Sequence, residues 1–548
     1  MAQLGYKNEI IDNFVSEFKS RIVAETGIPS DKDHLGKIIL QSLKDDPDFV
    51  LQIDGGTGEA ETNGSMLRRS IQCATSFRNQ GLKTGDTIVL MAPNHLDQAV
   101  PFNASLYLGI AIAAIDRFLG VNELKHAFNI IKPKIVFCQS EKVQDVQKAV
   151  AILNLDSKVI SFDTSADTIS FSEMLKLHSD EIDVENFKPA DFDPEDTIAV
   201  LISTSGTTGL PKSAALTHMN LAINGLMICS FATKLPPTRA AIIVSPLQWL
   251  SGLLHYIFSS LFKYTRVKSS RPLTTEHVLE MIGKYKPTFM VASPTMMTTI
   301  LNAGKKANSD FSCFEVIYLG GSAVPKTLVE ELRIMAPNAF VTDIYGMSEV
   351  GSTSFQGVNY PIGSCGKPLA HLQYKLVNVE TGEEIKEPNK CGELWLKCPG
   401  GFKGYYNNPE ATAEVLSKDG WFMTGDLMYR DEEWNFFFVE RIKLLLKYRN
   451  HQISPVELET VIRQHPGVLD VAVTSLPDEE CGDLPVACVI PRLGANLTET
   501  EIIDLVKEKL TDTKQLRGGV IFLKELPLTT STKVHRRKLK EIAISRLR

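Results

Sequence analysis

The sequence contains no Cys-x-x-Cys pair, and no spacing of His, Cys, Asp and Glu that reads as a metal-ligand set. Its nine cysteines, Cys73, Cys138, Cys229, Cys313, Cys365, Cys391, Cys398, Cys481 and Cys488, are odd in number and scattered. That pattern predicts reduced, buried thiols in an intracellular protein and no disulfide framework. There is no internal repeat and no low-complexity tract. Long hydrophobic runs are missing too. The most apolar stretch, Leu106–Ile115, is too short to cross a bilayer and reads as a buried helix. The opening Met1–Glu9 lacks the apolar centre of a signal peptide. A cytoplasmic location is expected. The alternative is peroxisomal, but Ser545-Arg546-Leu547 stands one residue short of the end, with Arg548 behind it, so no terminal targeting tripeptide is present. Basic charge is also not in excess. With 58 Lys and Arg against 65 Asp and Glu, the net charge is −7, which argues against a nucleic-acid partner.

What is present fits a globular protein of two or more domains. The 548 residues exceed what one core supports, and 43% hydrophobic with 22% charged residues is ordinary for a globular protein. Residues 202–213, Ile-Ser-Thr-Ser-Gly-Thr-Thr-Gly-Leu-Pro-Lys-Ser, hold six hydroxyl side chains, two glycines and a lysine. An apolar run, Thr197–Ile202, precedes them, and an amphipathic segment begins near His218. Strand, loop, helix is the order in which backbone N–H groups turn inward on a phosphate. Gly206 and Gly209 permit close backbone approach, Thr204, Ser205, Thr207 and Thr208 offer hydroxyls, and Lys212 offers a charge. The template G-x-x-x-x-G-K-[ST] is narrowly missed, since Pro211 stands where the second glycine belongs.

The runs Thr87–Ala92, Ile112–Ile115, Ile135–Phe137, Val159–Ser161, Ala241–Ser245, Thr288–Ala292 and Val316–Leu319 alternate with helix-like stretches, which predicts βα units and parallel sheets. Residues 373–400 alternate with period two around a Thr381-Gly382 turn, which predicts an antiparallel sheet or barrel. In the last hundred residues Val471–Val473 and Val486–Ile490 read as strands. Thr498 with Glu501 reads as a capping box opening a helix that runs to Leu510.

Ser205-Gly-Thr-Thr-Gly-Leu-Pro-Lys212 resembles the phosphate-loop signature of the acyl-adenylate-forming enzymes, which include acyl-CoA synthetases, 4-coumarate–CoA ligases and beetle luciferases. Tyr345-Gly-Met-Ser-Glu349, Gly404-Tyr-Tyr-Asn-Asn-Pro-Glu-Ala-Thr412, Gly420-Trp-Phe-Met-Thr-Gly-Asp426, Glu440-Arg-Ile-Lys443, Lys447-Tyr-Arg449 and Thr532–Leu539 follow in the family's order. The resemblance spans about residues 50 to 540. It implies an α/β fold with a large N-terminal domain (1–440) of βα-layered subdomains plus a small β-barrel. A mobile α+β C-terminal lid (441–548) would hinge at Glu440-Arg441.

The chemistry the resemblance implies is activation of a carboxylic acid by ATP, with Mg²⁺, and transfer to coenzyme A. Lys533, Glu349 and Lys212 would be catalytic. Lys533 would bridge the substrate carboxylate and the α-phosphate, and Glu349 would contact the metal. The nucleotide would lie on Thr204, Ser205, Gly206, Thr207, Thr208, Gly209 and Lys212, on Gly320, Gly321 and Ser322, and on Tyr345, Gly346, Met347 and Ser348. Tyr345 would stack on adenine, Asp426 would take the ribose hydroxyls, and Arg441 would add a second contact. Lys447 and Arg449 would line the thioester-forming state. The chain departs from the family pattern at several positions: Thr532 and Asn450 stand where glycine is usual, Glu440 where aspartate is, Arg449 where lysine is, Ser348 where threonine is and Trp249 where histidine is. The basic run Lys533–Lys540 reads as a solvated helix face or as a phosphate contact.

For the acyl pocket the resemblance points to Trp249, Gly252, Ala323 and Met290, with Phe289, Ala292, Met296 and Met297 nearby. No acidic residue lies between Ile242 and Tyr256, which disfavours an amino-acid substrate. A hydrophobic acid, a medium- or long-chain fatty acid, is expected. Two alternatives stand beside it: luciferase-like oxidation of a luciferin, and a non-catalytic acyl or nucleotide sensor. No oligomeric state follows.

Overall fold

The computed structural model describes residues 34–177, 183–204, 212–222, 238–356, 361–369, 372–398, 401–449, 451–478, 480–529 and 533–547. Two large sheets organise the N-terminal part. A six-stranded sheet runs in the order Lys158–Ser161, Ile135–Cys138, Thr87–Met91, Ala111–Ala114, Ile198–Thr204, Lys212–Thr217. All its pairings are parallel except the last. A nine-stranded sheet has a parallel centre, Phe340–Met347, Val316–Gly320, Phe289–Ala292, Ala240–Ile242, Thr265–Lys268, Val50–Asp54, with antiparallel strands at both edges. Strands covered on both faces read as unbroken apolar runs, and Thr87-Ile-Val-Leu-Met91 is buried throughout. One core joins the sheets: Leu90 and Ile112 from the first and Ala241 from the second meet Ile39, Ile71, Phe102 and Tyr256 from four helices.

A five-stranded antiparallel sheet follows, built from Gln373–Val377, Glu384–Ile385, Gly392–Lys397, Phe422–Arg430 and Phe436–Arg441. The last part pairs Val468–Asp478 with Gly482–Pro491 antiparallel and adds Gly519–Phe522 parallel to the latter. Helix Glu499–Lys509 carries the capping box expected at Thr498 and Glu501.

Three expectations need correction. The segment after the phosphate loop does not enter a helix at once. Lys212–Thr217 is a strand, antiparallel to Ile198–Thr204 with Thr204 opposite Lys212, and helix opens only at His218, where the amphipathic segment is expected. Ala214–Leu216 is a short apolar run, and such a run has no periodicity long enough to separate strand from loop. The stretch Leu106–Ile115 is not one helix. The helix Ala99–Leu108 ends at Gly109, whose φ of 68° makes a left-handed cap, and the chain continues as strand Ala111–Ala114. The thiols are also not uniformly buried, since Cys391 is exposed. No described helix is long and apolar enough to cross a membrane.

Candidate active site

The hairpin places Lys212 at its mouth. Of the loop, Ser205, Gly206, Thr207, Thr208 and Gly209 lie outside the described residues, so the structure locates only its ends. Thr204 is half-buried. Lys212 Nζ is 3.6 Å from Glu414 Oε2 and 5.0 Å from the ring centre of Tyr405. Glu414 is mostly exposed, so this pair is a weak one that phosphate oxygens can replace. Tyr405 is the residue sequence reasoning quoted in a motif and gave no role. Its hydroxyl donates to Glu349 Oε1 at 2.9 Å, linking the phosphate hairpin to the carboxylate. Its ring is fixed because Tyr405 bridges to Ala214 of the hairpin and its own N–H donates to Thr412 Oγ1. Burial, with the Glu349 carboxylate beside it, raises the Tyr405 pKa, so the phenol stays protonated as a donor.

Glu349 and half-buried Ser348 occupy the turn after strand Phe340–Met347, whose last residues include Tyr345, Gly346 and Met347. Tyr345 packs edge-on against Phe355, 5.6 Å between ring centres, and its hydroxyl donates to Asp426 Oδ2 at 2.7 Å. Asp426 and Arg441 face each other across adjacent antiparallel strands. That register brings Arg441 Nε within 2.9 Å of Asp426 Oδ1. The contact is ionic and off the axis of a hydrogen bond, so buried Oδ1 has no hydrogen-bond donor among the described residues. Asp426 is only 2% exposed. Its charge raises the Arg441 pKa, and burial together with that charge raises the Tyr345 pKa well above the usual value. The result is a carboxylate oriented by a phenol and a guanidinium, with acceptor capacity left over.

From the other side comes Lys533. Its Cε lies 3.7 Å from where a Cβ on Gly321 would stand, and Gly321 has a φ of 91°, so both space and backbone favour glycine. The lysine projects into a cleft that solvent still enters, but protein surrounds it. That desolvation, with Arg441 as a neighbouring cation, lowers its pKa, and Asp426 and Glu349 oppose the shift. Backbone pairing with Thr529 fixes its position: Thr529 N donates to Lys533 O at 2.7 Å, and Lys533 N to Thr529 Oγ1 at 3.2 Å. Thr532 lies outside the described residues. Gly320 is half-buried, and Ser322 and Ala323 are exposed along the same edge.

Glu440 has a role that sequence missed. Its carboxylate is 2% exposed and accepts from Arg441 N at 2.8 Å, Val456 N at 3.2 Å and Ser454 Oγ at 3.4 Å. It therefore caps helix Pro455–Ile462, where the dipole favours an anion, although burial raises its pKa. Replacing Glu440 by Ala should cost about 1 kcal/mol of helix-end stability. Amide exchange at Val456 and Glu457 should then quicken roughly fivefold. Unchanged exchange there would refute the capping role.

The basic run does not act as one patch. Arg536 donates to Glu459 Oε1 and Val473 O, both at 2.7 Å, and Lys540 lies 3.5 Å from Asp483. Only Lys533 reaches the cleft residues. Lys447 and Arg449 are not brought to it either. Both are exposed on the hairpin Leu446–Tyr448 with His451–Ile453, and Arg449 donates from N to Cys481 O and from Nε to Cys481 Sγ. Arg449 itself holds the left-handed turn (φ 46°), and Asn450 lies outside the described residues.

Of the pocket residues, half-buried Trp249 precedes helix Leu250–Phe262. Gly252 is packed so closely that a Cβ would sit 2.3 Å from Pro246 O. Met290 does not face a cleft. It is fully buried with Ile242, Val244 and Met297 against the helix layer, while its neighbour Phe289 points to the opposite face. Strand side chains alternate, so Phe289 and Met290 could not both line one pocket.

A carboxylate oriented by a tyrosine and an arginine thus stands near a lysine from a distant part of the chain. The comparisons give the class. Residues 41–406 match the AMP-binding enzyme family and residues 457–533 the AMP-binding enzyme C-terminal domain, and the chain belongs to this family. It is 33% identical to luciferin 4-monooxygenase of Photuris pensylvanica over 87% of this chain and 89% of that one. It is 30% identical to 4-coumarate–CoA ligase-like 9 of Arabidopsis thaliana over 90% and 86%. The crystal structure of ATP-bound MatB from Rhodopseudomonas palustris shares the fold, with a TM-score of 0.82 and 24% identity, covering 93% of this chain and all of that one.

Proposed function

We propose that this protein uses ATP to convert a hydrophobic carboxylic acid, a medium- or long-chain fatty acid, into an acyl-adenylate with release of pyrophosphate, and then passes the acyl group to coenzyme A. The observation that carries the reading is Lys533 set beside Gly321, with Asp426, Arg441 and Glu349 close enough to shift its pKa. In-line attack of a carboxylate on the α-phosphate builds negative charge, and a cation placed beforehand at that point lowers the barrier. Lys212 supports the phosphates from the hairpin. Asp426 Oδ1, buried and lacking a directed donor, suits a ribose hydroxyl. Glu349 is a half-buried carboxylate with one oxygen held by Tyr405, which fits a Mg²⁺ ion shared with phosphate oxygens. Mg²⁺, when bound, neutralises phosphate charge. Coenzyme A as acceptor draws support from the similarity to a CoA ligase-like protein, and luciferin oxidation from the similarity to a luciferin monooxygenase. The free thiols fit a cytoplasmic setting.

The test is pyrophosphate release with ATP, Mg²⁺ and a panel of acids (fatty acids of graded length, a cinnamate, a luciferin), with and without coenzyme A. Turnover with fatty acids that rises with coenzyme A is expected. Pyrophosphate without an acyl-CoA product would remove the second step, and no release with any acid would remove the first.

A further inference from the structure

Asp426 does not sit in a regular stretch of its strand. Strands Gly392–Lys397 and Phe422–Arg430 pair Glu393 with Leu427 and Trp395 with Met423, so Leu394 alone stands opposite Thr424, Gly425 and Asp426. The extra residues form a bulge, a device that re-aims a side chain. Gly425 takes a φ of 70° there, and a Cβ on it would meet nothing within 4 Å, so glycine serves the backbone conformation and not the space.

A bulge interrupts the ladder, and the backbone groups it releases need other partners. Thr424 Oγ1 donates to Leu394 O at 2.7 Å and accepts from Asp426 N at 3.1 Å. Gly425 N donates to Glu393 Oε1 at 2.9 Å. The other oxygen of that carboxylate, Oε2, accepts from Trp395 Nε1, also at 2.9 Å. Glu393 and Trp395 lie two apart on their strand and point away from the core that takes Leu394 and Leu396. A glutamate on that outer face ordinarily turns to water. This one gives both oxygens to the bulge and the indole. The indole is held in turn by Lys375, its register partner, whose Nζ lies 4.5 Å from the Trp395 ring centre and 4.6 Å from that of Trp421.

We infer that Glu393, oriented by Trp395, is a positioning residue for Asp426. By holding the Gly425 N–H it fixes the bulge, and the bulge fixes the direction in which the Asp426 carboxylate meets the ribose hydroxyls. The inference rests on the reading of Asp426 as the ribose acceptor. A carboxylate held in place by its supports loses its ligand contact when they go, even though it is itself unchanged. Loss of the Glu393 support therefore weakens only the part of nucleotide binding that depends on the two hydroxyls.

Calorimetric titration with Mg²⁺ present compares ATP with 2′,3′-dideoxy-ATP, which lacks both hydroxyls, and needs no acid substrate. The wild type should bind ATP about tenfold or more tighter. Glu393→Met keeps the stem and removes both acceptors. It should weaken ATP about fivefold or more and leave 2′,3′-dideoxy-ATP unchanged. Glu393→Gln keeps an oxygen for Gly425 N and should restore most of the discrimination. A structural role alone would weaken both nucleotides alike or neither, and either result overturns the inference. So does a Gln variant that discriminates no better than the Met variant. Equal affinity of the wild type for the two nucleotides removes the ribose reading of Asp426, and the inference falls with it. If Glu393→Met does not fold, Trp395→Phe decides, since it removes only the indole donor: the discrimination should drop about twofold, and an unchanged ratio overturns the inference.

Discussion

Lys533→Ala should lower acyl-adenylate formation by at least roughly 100- to 1000-fold while leaving ATP binding and Tm nearly unchanged. The side chain stands in a cleft that water enters, so its removal leaves no sealed cavity. Its backbone pairing with Thr529 does not depend on the ammonium. Only the charge facing the reacting phosphate is lost. Adenylation is followed by pyrophosphate release and ATP binding by calorimetry. A variant that adenylates at the wild-type rate would remove Lys533 from the chemistry.

The same residue sets a pH limit. Its folded pKa is lowered, first by desolvation and then by Arg441. The ammonium form should therefore be lost at a pH below the ordinary lysine range, and adenylation should decline as pH rises through that point. The linkage has the opposite sign for stability. A lowered lysine pKa is a destabilising contribution present below the folded pKa, and it is relieved as pH rises toward the unfolded value. Rate and stability thus move in opposite directions over this window. The cleft is wet, so the stability part is small.

Asp426→Asn should be the most damaging single change on the nucleotide side. It keeps the shape but removes the charge that Arg441 faces and Tyr345 donates to. A hydrogen bond to a charged group contributes about 1.5–3 kcal/mol, which corresponds to a loss of roughly 10- to 100-fold in ATP affinity. Arg441 is partly exposed and can turn to water, so the stability loss should be the lesser effect, about 1 kcal/mol. Calorimetric titration of ATP and a thermal melt separate the two. A fall in Tm with unchanged ATP affinity would make Asp426 structural only.

Much of this was legible in the chain itself. Unbroken apolar runs located parallel strands such as Thr87–Met91, because that strand is buried on both faces. The Thr498–Glu501 capping box is a local device and was found where it stands. Alternation over residues 373–400 gave the antiparallel sheet. Those features depend on neighbours a few residues apart, and a linear reading sees them. What tertiary structure alone decided depends on residues far apart in sequence. It paired Asp426 with Arg441 through strand register and set Tyr345, 81 positions away, on the same carboxylate. It paired Lys212 with Thr204 across two antiparallel strands, carried Lys533 to Gly321, and spent Arg536 on Glu459. It also sent Met290 into the core, because side-chain direction follows from which face of a sheet another layer covers.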